Sequence, residues 1–393
     1  MTPLTHAEQA TLGAVLLEPH QLGRLASWLQ PAHFYRPIHQ ALYAAALKLR
    51  DDGHPAASLG VEEPVPLSWL ADTVVEAGTQ TRGVTAAYAH QVVSSCPRPG
   101  HAVAYGRMVL EGAIRRSVAQ HATQLHQAAR ADAPRGTSEE SVRQAEALSM
   151  ALSDLGGRWG TDVQPVPHPL PSSSLPAELD EQLLAEEEFL LGSLSARPEQ
   201  LSQVVSWLHP GDFADAGHQQ VYRALGALHH RGEPVDQLTV LWEIQRRGAL
   251  AERTLDTDRV LRICDSSSLS GAAEHYGERV VRAALVRTAA DTARQVRALA
   301  DDESLAPGRL IGHALHALGP LSAVRDRLRA ATGNVPASPP APARAAPARE
   351  ARADAARIRS SARRPGSPPA PAPASASTPH PVSFRPAPRR SPS

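Results

Sequence analysis

The chain has 393 residues, enough for two ordinary domains and a further segment, and each domain is large enough to bury its own core. Aromatic residues make up only 4% of it while Pro reaches 35 and Gly 26, so part of the chain is expected to stay unpacked. Its formal charge of zero conceals an asymmetry: from residue 331 onward ten arginines face two acidic residues, so an acidic body carries a basic tail. Cys96 and Cys264 form no CxxC pair and sit at unmatched places, which argues against a disulfide or zinc framework. Met1 to Ala7 shows no basic region leading into an apolar run, and no stretch of about 18 apolar residues occurs anywhere. A soluble cytoplasmic protein is expected, with nucleoid association as a further option.

The sequence repeats itself. Ser27-Trp28-Leu29-Gln30-Pro31 with Phe34 returns as Ser206-Trp207-Leu208-His209-Pro210 with Phe213. In the same ungapped register Leu12 matches Leu191, Gly13 matches Gly192, His39 matches His218, Tyr43 matches Tyr222 and Gly53 matches Gly232. Such agreement at turn residues, aromatics and leucines points to a tandem duplication of one domain.

In chain order, Leu12, Val15 and Leu16 share a helical face in residues 8 to 17, and Leu22, Leu25 and Leu29 repeat the spacing after a break at Pro19. Pro37 suits the start of a third helix that Gly53 ends. Residues 56 to 66 hold extra Pro-, Gly- and acid-rich positions that the second copy lacks, which reads as a loop insertion. A helix over Leu67 to Ala77 and a shorter one around Ala86 to Ser95 follow. A long helical stretch, roughly His101 to Ala129, then turns at Pro134 to Gly136, and Ser138 is placed to cap a partner helix ending at Gly156-Gly157. The pair reads as a hairpin standing off the head.

The second copy restates this order. Asp236 opens one helix that Gly248 closes, Trp242 is aligned with Trp69, and Tyr276-Gly277 matches Tyr105-Gly106. Its long helix runs to about Ala300, and a partner helix spans roughly Ser304 to Leu318, broken near Gly319-Pro320, with a short extra helix over Ser322 to Arg329.

The fold class is therefore all-α. Residues 1–155 form the first domain, with a head at about 8–100 and a hairpin at about 101–155, and residues 156–180 a Pro- and Ser-rich linker. Residues 181–330 form the second domain, with a head at about 187–270 and a hairpin at about 272–318. The Ala-, Pro- and Arg-rich residues 331–393 are expected to be disordered, because they hold too little apolar surface to offset the entropy of ordering.

Arg231-Gly232-Glu233-Pro234-Val235-Asp236, with Leu238-Thr239 and Arg246-Arg247-Gly248, resembles the N-terminal domain of the DnaB-type replicative DNA helicases. In the first copy Glu8-Gln9, Leu12-Gly13, Leu29 through Pro31, Phe34 through Pro37 and His39 are similar to the opening of that domain. Tyr105-Gly106-Arg107 with Arg115-Arg116 resembles the start of its hairpin. The resemblance implies an all-helical head plus hairpin that builds a hexamer's collar through hairpin-mediated dimers and helps receive the primase. It implies no catalysis, because the family's motor is a separate RecA-like ATPase. A phosphate loop needs a Gly-rich cradle and a lysine, whereas the one lysine here, Lys48, lies between leucines on a predicted helix. Primase or replicative helicase is the expected partner, with self-association through the hairpins.

No catalytic, cofactor-binding or metal-binding residue is assigned, and no cofactor is expected. His39 and His218 read as packed histidines with a local hydrogen bond, since no second ligand repeats at metal spacing. The run Glu186-Glu187-Glu188 reads as a solvated helix end. Trp28 and Trp207 read as core: burying such a ring removes roughly 150 to 250 Å² from water, about 4 to 6 kcal/mol at most. Arg363, Arg364, Arg389 and Arg390 in the tail are candidates for weak, salt-sensitive DNA contact.

Overall fold

The computed structural model describes residues 2–58, 64–161, 164–167, 181–250, 255–265 and 273–333. All of them lie in the first of two compact units, Met1–Val335. Among these residues every regular element is helical.

The first head consists of α1 (Pro3–Leu17), α2 (Leu22–Leu25), α3 (Pro37–Asp51), α4 (Leu67–Gln80) and α5 (Ala86–Ser94). Its hairpin is α6 (Ala102–Asp132) and α7 (Glu139–Trp159). The second head repeats the plan with α8 (Glu181–Ala196), α9 (Leu201–Val204), α10 (Ala216–Arg231), α11 (Gln237–Arg246) and α12 (Thr257–Asp265). There α13 (Ala273–Asp301) turns back through α14 (Pro307–Ala317) and α15 (Gly319–Ala331).

Local chemistry accounts for the element ends. Pro37 sits in the first turn of α3 and Pro320 in that of α15, where the missing N–H has no intrahelical acceptor to lose. Asp236 caps α11 by accepting the N–H groups of Leu238 and Thr239, both at 2.9 Å. Gly53 and Gly232 leave α3 and α10 at φ of 79° and 66°, backbone that a side chain would strain. The matched glycines thus mark matched helix ends.

Two sequence expectations at the first hairpin are corrected. Ser138 occupies the N-cap position of α7 but its side chain makes no cap bond. The buried Asp132, at the end of α6, accepts instead from the Ser141 N–H and hydroxyl, both at 2.8 Å, so one side chain joins the two arms. Gly156-Gly157 does not end α7, which continues to Trp159 and stops at Gly160 with φ 79°. In the second hairpin the extra helix is longer than expected, because Gly319-Pro320 begins it rather than breaking the chain.

Each head packs the same core. Phe34 lies 5.0 Å from Tyr43 and Phe213 lies 5.0 Å from Tyr222, at ring angles of 37° and 36°. Trp207 is buried as expected, whereas Trp28 is half-buried. Both rings rest on a glycine of the long helix. A Cβ on Gly106 would stand 2.9 Å from Trp28, and one on Gly277 would stand 2.7 Å from Trp207. The repeated Tyr-Gly pair therefore seats the repeated tryptophan. The alignment of Trp242 with Trp69 fails: Trp69 is fully buried and Trp242 is 65% exposed. The register set by Tyr105 and Tyr276 places Val240, which is buried, at the position of Trp69.

The most extensive packing between any two described helices joins the copies: α6 lies against α13. At about 1.5 Å per residue α6 is about 46 Å long. Helix α7 packs on α14, so both hairpins form one bundle within a single chain. Part of the stretch read as a linker is attached to it, with the Val166 N–H donating to the Gly312 carbonyl at 2.9 Å.

Candidate interaction site

One buried acid–histidine pair anchors each head. Glu8 on α1 meets His39 on α3 at 2.6 Å, and Glu187 on α8 meets His218 on α10 at 2.7 Å, with all four side chains buried. Each carboxylate also accepts a backbone N–H from the turn before the third helix, Tyr35 in one copy and Ala214, at 2.6 Å, in the other. A buried carboxylate needs such partners, and these tie the first helix, the turn and the third helix together. The acidic run at 186 to 188 is therefore no solvated end. Glu187 is fully buried, and Glu186 pairs with Arg279 on α13.

The far side of each histidine differs. His39 Nε2 lies 2.7 Å from the Tyr88 hydroxyl, while His218 Nε2 lies 3.0 Å from Arg259 Nη2. Guanidinium only donates, so His218 Nε2 accepts and its Nδ1–H goes to Glu187. Burial alone would raise the pKa of the neighbouring Asp215, but the His218 backbone N–H and the Arg259 guanidinium hold it below the usual carboxylate range. These histidines are structural ties, and among the described residues no three His, Cys, Asp or Glu side chains converge to hold a metal.

The turn after each tryptophan is fastened by different chemistry at one position. His33 Nδ1 accepts the Gln30 N–H at 3.0 Å, and Asp212 accepts the His209 N–H at 2.8 Å. Burial, then Arg158 and Arg116, push the His33 pKa down to about 4, which keeps the imidazole a neutral acceptor. Asp212 instead pairs with Arg327 on α15.

The joint between the copies carries the arginines. Arg115 on α6 donates to three carbonyls at the tip of the second hairpin: Asp302 at 2.6 Å, Glu303 at 3.1 Å and Leu305. Arg297 on α13 reaches the Thr123 hydroxyl on α6 at 3.4 Å, and Arg325 on α15 meets Glu146 on α7 at 3.2 Å. At the other end, the tip of the first hairpin, residues 133 to 137, borders a cleft beside the second head. Each tip thus lies beside the other copy's head, the arrangement of an antiparallel dimer joined in one chain.

Comparison with known proteins places this architecture. The DnaB-like helicase N terminal domain family matches residues 2–111 and again residues 180–282, more than half of the chain. The chain belongs to this family. It carries the DnaB-like domain twice, and the matched segments hold the two heads and the starts of α6 and α13. Replicative DNA helicase DnaB of Mycobacterium leprae is 42% identical over 69 residues, 18% of this chain and 11% of the relative. Replicative DNA helicase DnaB of Geobacillus stearothermophilus is 32% identical over 121 residues, and replicative DNA helicase DnaC of Bacillus subtilis 33% over the same length, each match covering 31% of this chain and 25% of the relative. The chain therefore spans at most a quarter of these helicases. No solved structure matches it.

The tail arginines Arg363, Arg364, Arg389 and Arg390 lie outside the described residues. Among the described residues no helix is long and apolar enough to cross a membrane. Sequence reasoning missed the acid halves of the anchors as a pair. The signal was present, since Glu8 and Glu187 share the register of His39 and His218.

Proposed function

We propose that this chain is a non-catalytic interaction protein of DNA replication, in which domains 1–155 and 181–330 form a covalent version of a helicase collar dimer. The observation that carries the reading is the antiparallel pairing of α6 and α13 between two DnaB-like domains, with Arg115 clasping the opposite hairpin tip. A dimer fused in one chain has fixed stoichiometry and leaves its outer faces for further copies or for a partner. The partner is the primase or the replicative helicase of the same cytoplasm, with assembly of further chains as the self-associating form. The helicase names of its relatives support a role beside the motor. ATP hydrolysis is not expected of this chain.

The test is binding of the full chain to purified primase and replicative helicase from the same cell, after nuclease treatment and at moderate salt. Binding to either supports the reading, and binding to neither refutes it. A second reading rests on the basic excess after residue 331: an architectural role in which Arg363, Arg364, Arg389 and Arg390 hold DNA. DNA binding that survives deletion of residues 331–393 would refute it.

A further inference from the structure

The joint between the copies is closed at one end and open at the other. At the closed end Arg115 fills the space beneath the second hairpin tip, and Arg116 lies under the Tyr35 ring, 5.3 Å from its centroid. At the open end a cleft of about 420 Å³ separates the first hairpin tip from α8 and α13. In the register of the duplication Arg115 becomes Val286 and Tyr35 becomes Ala214, so the clasp and the aromatic cover are both missing there. Met108 and Glu111 become Arg279 and Arg282, while Arg116 becomes Arg287. The second copy has thus lost bulk and gained positive charge at one place.

Arg135 of the hairpin tip, Arg279, Arg282 and Arg287 all line this cleft. Glu186 neutralises Arg279 and Glu278 neutralises Arg282. Arg287 donates to the Asp212 carbonyl at 2.5 Å, but that residue's carboxylate is taken by Arg327. Two guanidinium N–H groups, Arg282 Nε and Arg287 Nη1, have no acceptor among the described residues. Burial pushes the Arg287 pKa below its usual range despite the opposing charges of Glu187, Asp212 and Asp291. Thr137 adds a hydroxyl to the wall.

We infer that this cleft binds a small multivalent oxyanion, the diphosphate group of a nucleotide or of inorganic pyrophosphate, between Arg135, Arg282 and Arg287. Planar guanidinium forks bind phosphate oxygens in pairs, and a cleft of this size admits a ligand of nucleotide dimensions. Four arginines and one carboxylate, Glu186, line the cleft, an excess that favours an anion carrying more than one negative charge. This site is independent of whether the chain meets a primase or a helicase.

The experiment is calorimetric titration of the full chain with sodium pyrophosphate, ADP and a short DNA oligonucleotide at constant ionic strength. It is repeated on Arg282→Glu, which installs the residue of the first copy, on Arg135→Ala at the exposed tip, and on Ala214→Tyr, which restores the aromatic cover. Pyrophosphate binding that weakens about tenfold or more in Arg282→Glu and in Ala214→Tyr, with helical circular dichroism unchanged, is the expected result. ADP binding more tightly than pyrophosphate identifies a nucleotide, and equal affinities identify the free anion; both support the site. No pyrophosphate binding by the native chain, or binding of equal strength in all three variants, overturns it. Binding of the oligonucleotide alone through Arg135 and Arg282 also overturns it and makes the cleft a nucleic-acid surface.

Discussion

Glu187 and His218 meet at 2.7 Å with neither side chain reaching solvent, and Glu8 and His39 repeat the pair at 2.6 Å in the other head. Removing one member of a buried pair strands the other, together with the Ala214 N–H that the carboxylate accepts. Glu187→Ala is expected to cost about 3 to 5 kcal/mol, read as a lower denaturant midpoint. An exposed carboxylate in the same run would cost almost nothing, so a loss below about 0.5 kcal/mol would contradict the buried placement.

The duplication and its repeated histidines were legible in the sequence and their pairing with the buried glutamates was not, for one physical reason. Repetition reveals positions whose side chains face the same surroundings in both copies, such as Phe34 and Phe213 or Gly53 and Gly232. It does not reveal burial where composition points the other way, and three consecutive glutamates look like a solvated face. Trp242 misled for the converse reason: two large aromatic residues at similar spacing suggested equivalence, yet Val240 fills the buried position. The helix end at Gly160 was hidden because Gly156 and Gly157 came first, and a helix held by packing crosses a glycine pair at a cost of about 1 kcal/mol each. The cleft had no sequence signature of its own. It emerges only when Ala214, Val286 and Arg135 are brought together.

The two tryptophans provide a graded comparison. Trp207 is 6% exposed, while Trp28 is half-buried with the Arg107 guanidinium 4.6 Å above its ring. Trp207→Ala is expected to cost about 3 to 5 kcal/mol and Trp28→Ala clearly less, measured by urea unfolding of the full chain. Equal losses would contradict the difference in packing.

His33 gives the first domain an acid-sensitive turn. Its folded pKa is lowered from 6.5 to about 4, so the unfolded chain binds this proton more readily than the folded one. The stability it contributes is complete above about 6.5 and is lost as pH falls toward about 4. His33→Asp, which installs the residue of the second copy, is expected to flatten this part of the stability profile. An unchanged profile between those pH values would show that His33 is not held neutral.

Arg115 is expected to hold the second hairpin tip through its three carbonyl contacts. In Arg115→Ala, amide hydrogen exchange is predicted to accelerate around residues 302 to 305 and to leave the core of the first head unchanged. Uniform acceleration through both heads would mean that the clasp supports the whole fold rather than the tip.

The pairing of α6 with α13 inside one chain is tested most directly by a distance measurement between spin labels on Thr123→Cys and Arg297→Cys, the native residues of which touch across the joint at 3.4 Å. With Cys96 and Cys264 replaced by serine, a single short distance that persists on dilution with unlabelled protein is predicted. A distance that vanishes on dilution, or a broad long one, would mean that the two hairpins do not close on each other within the chain.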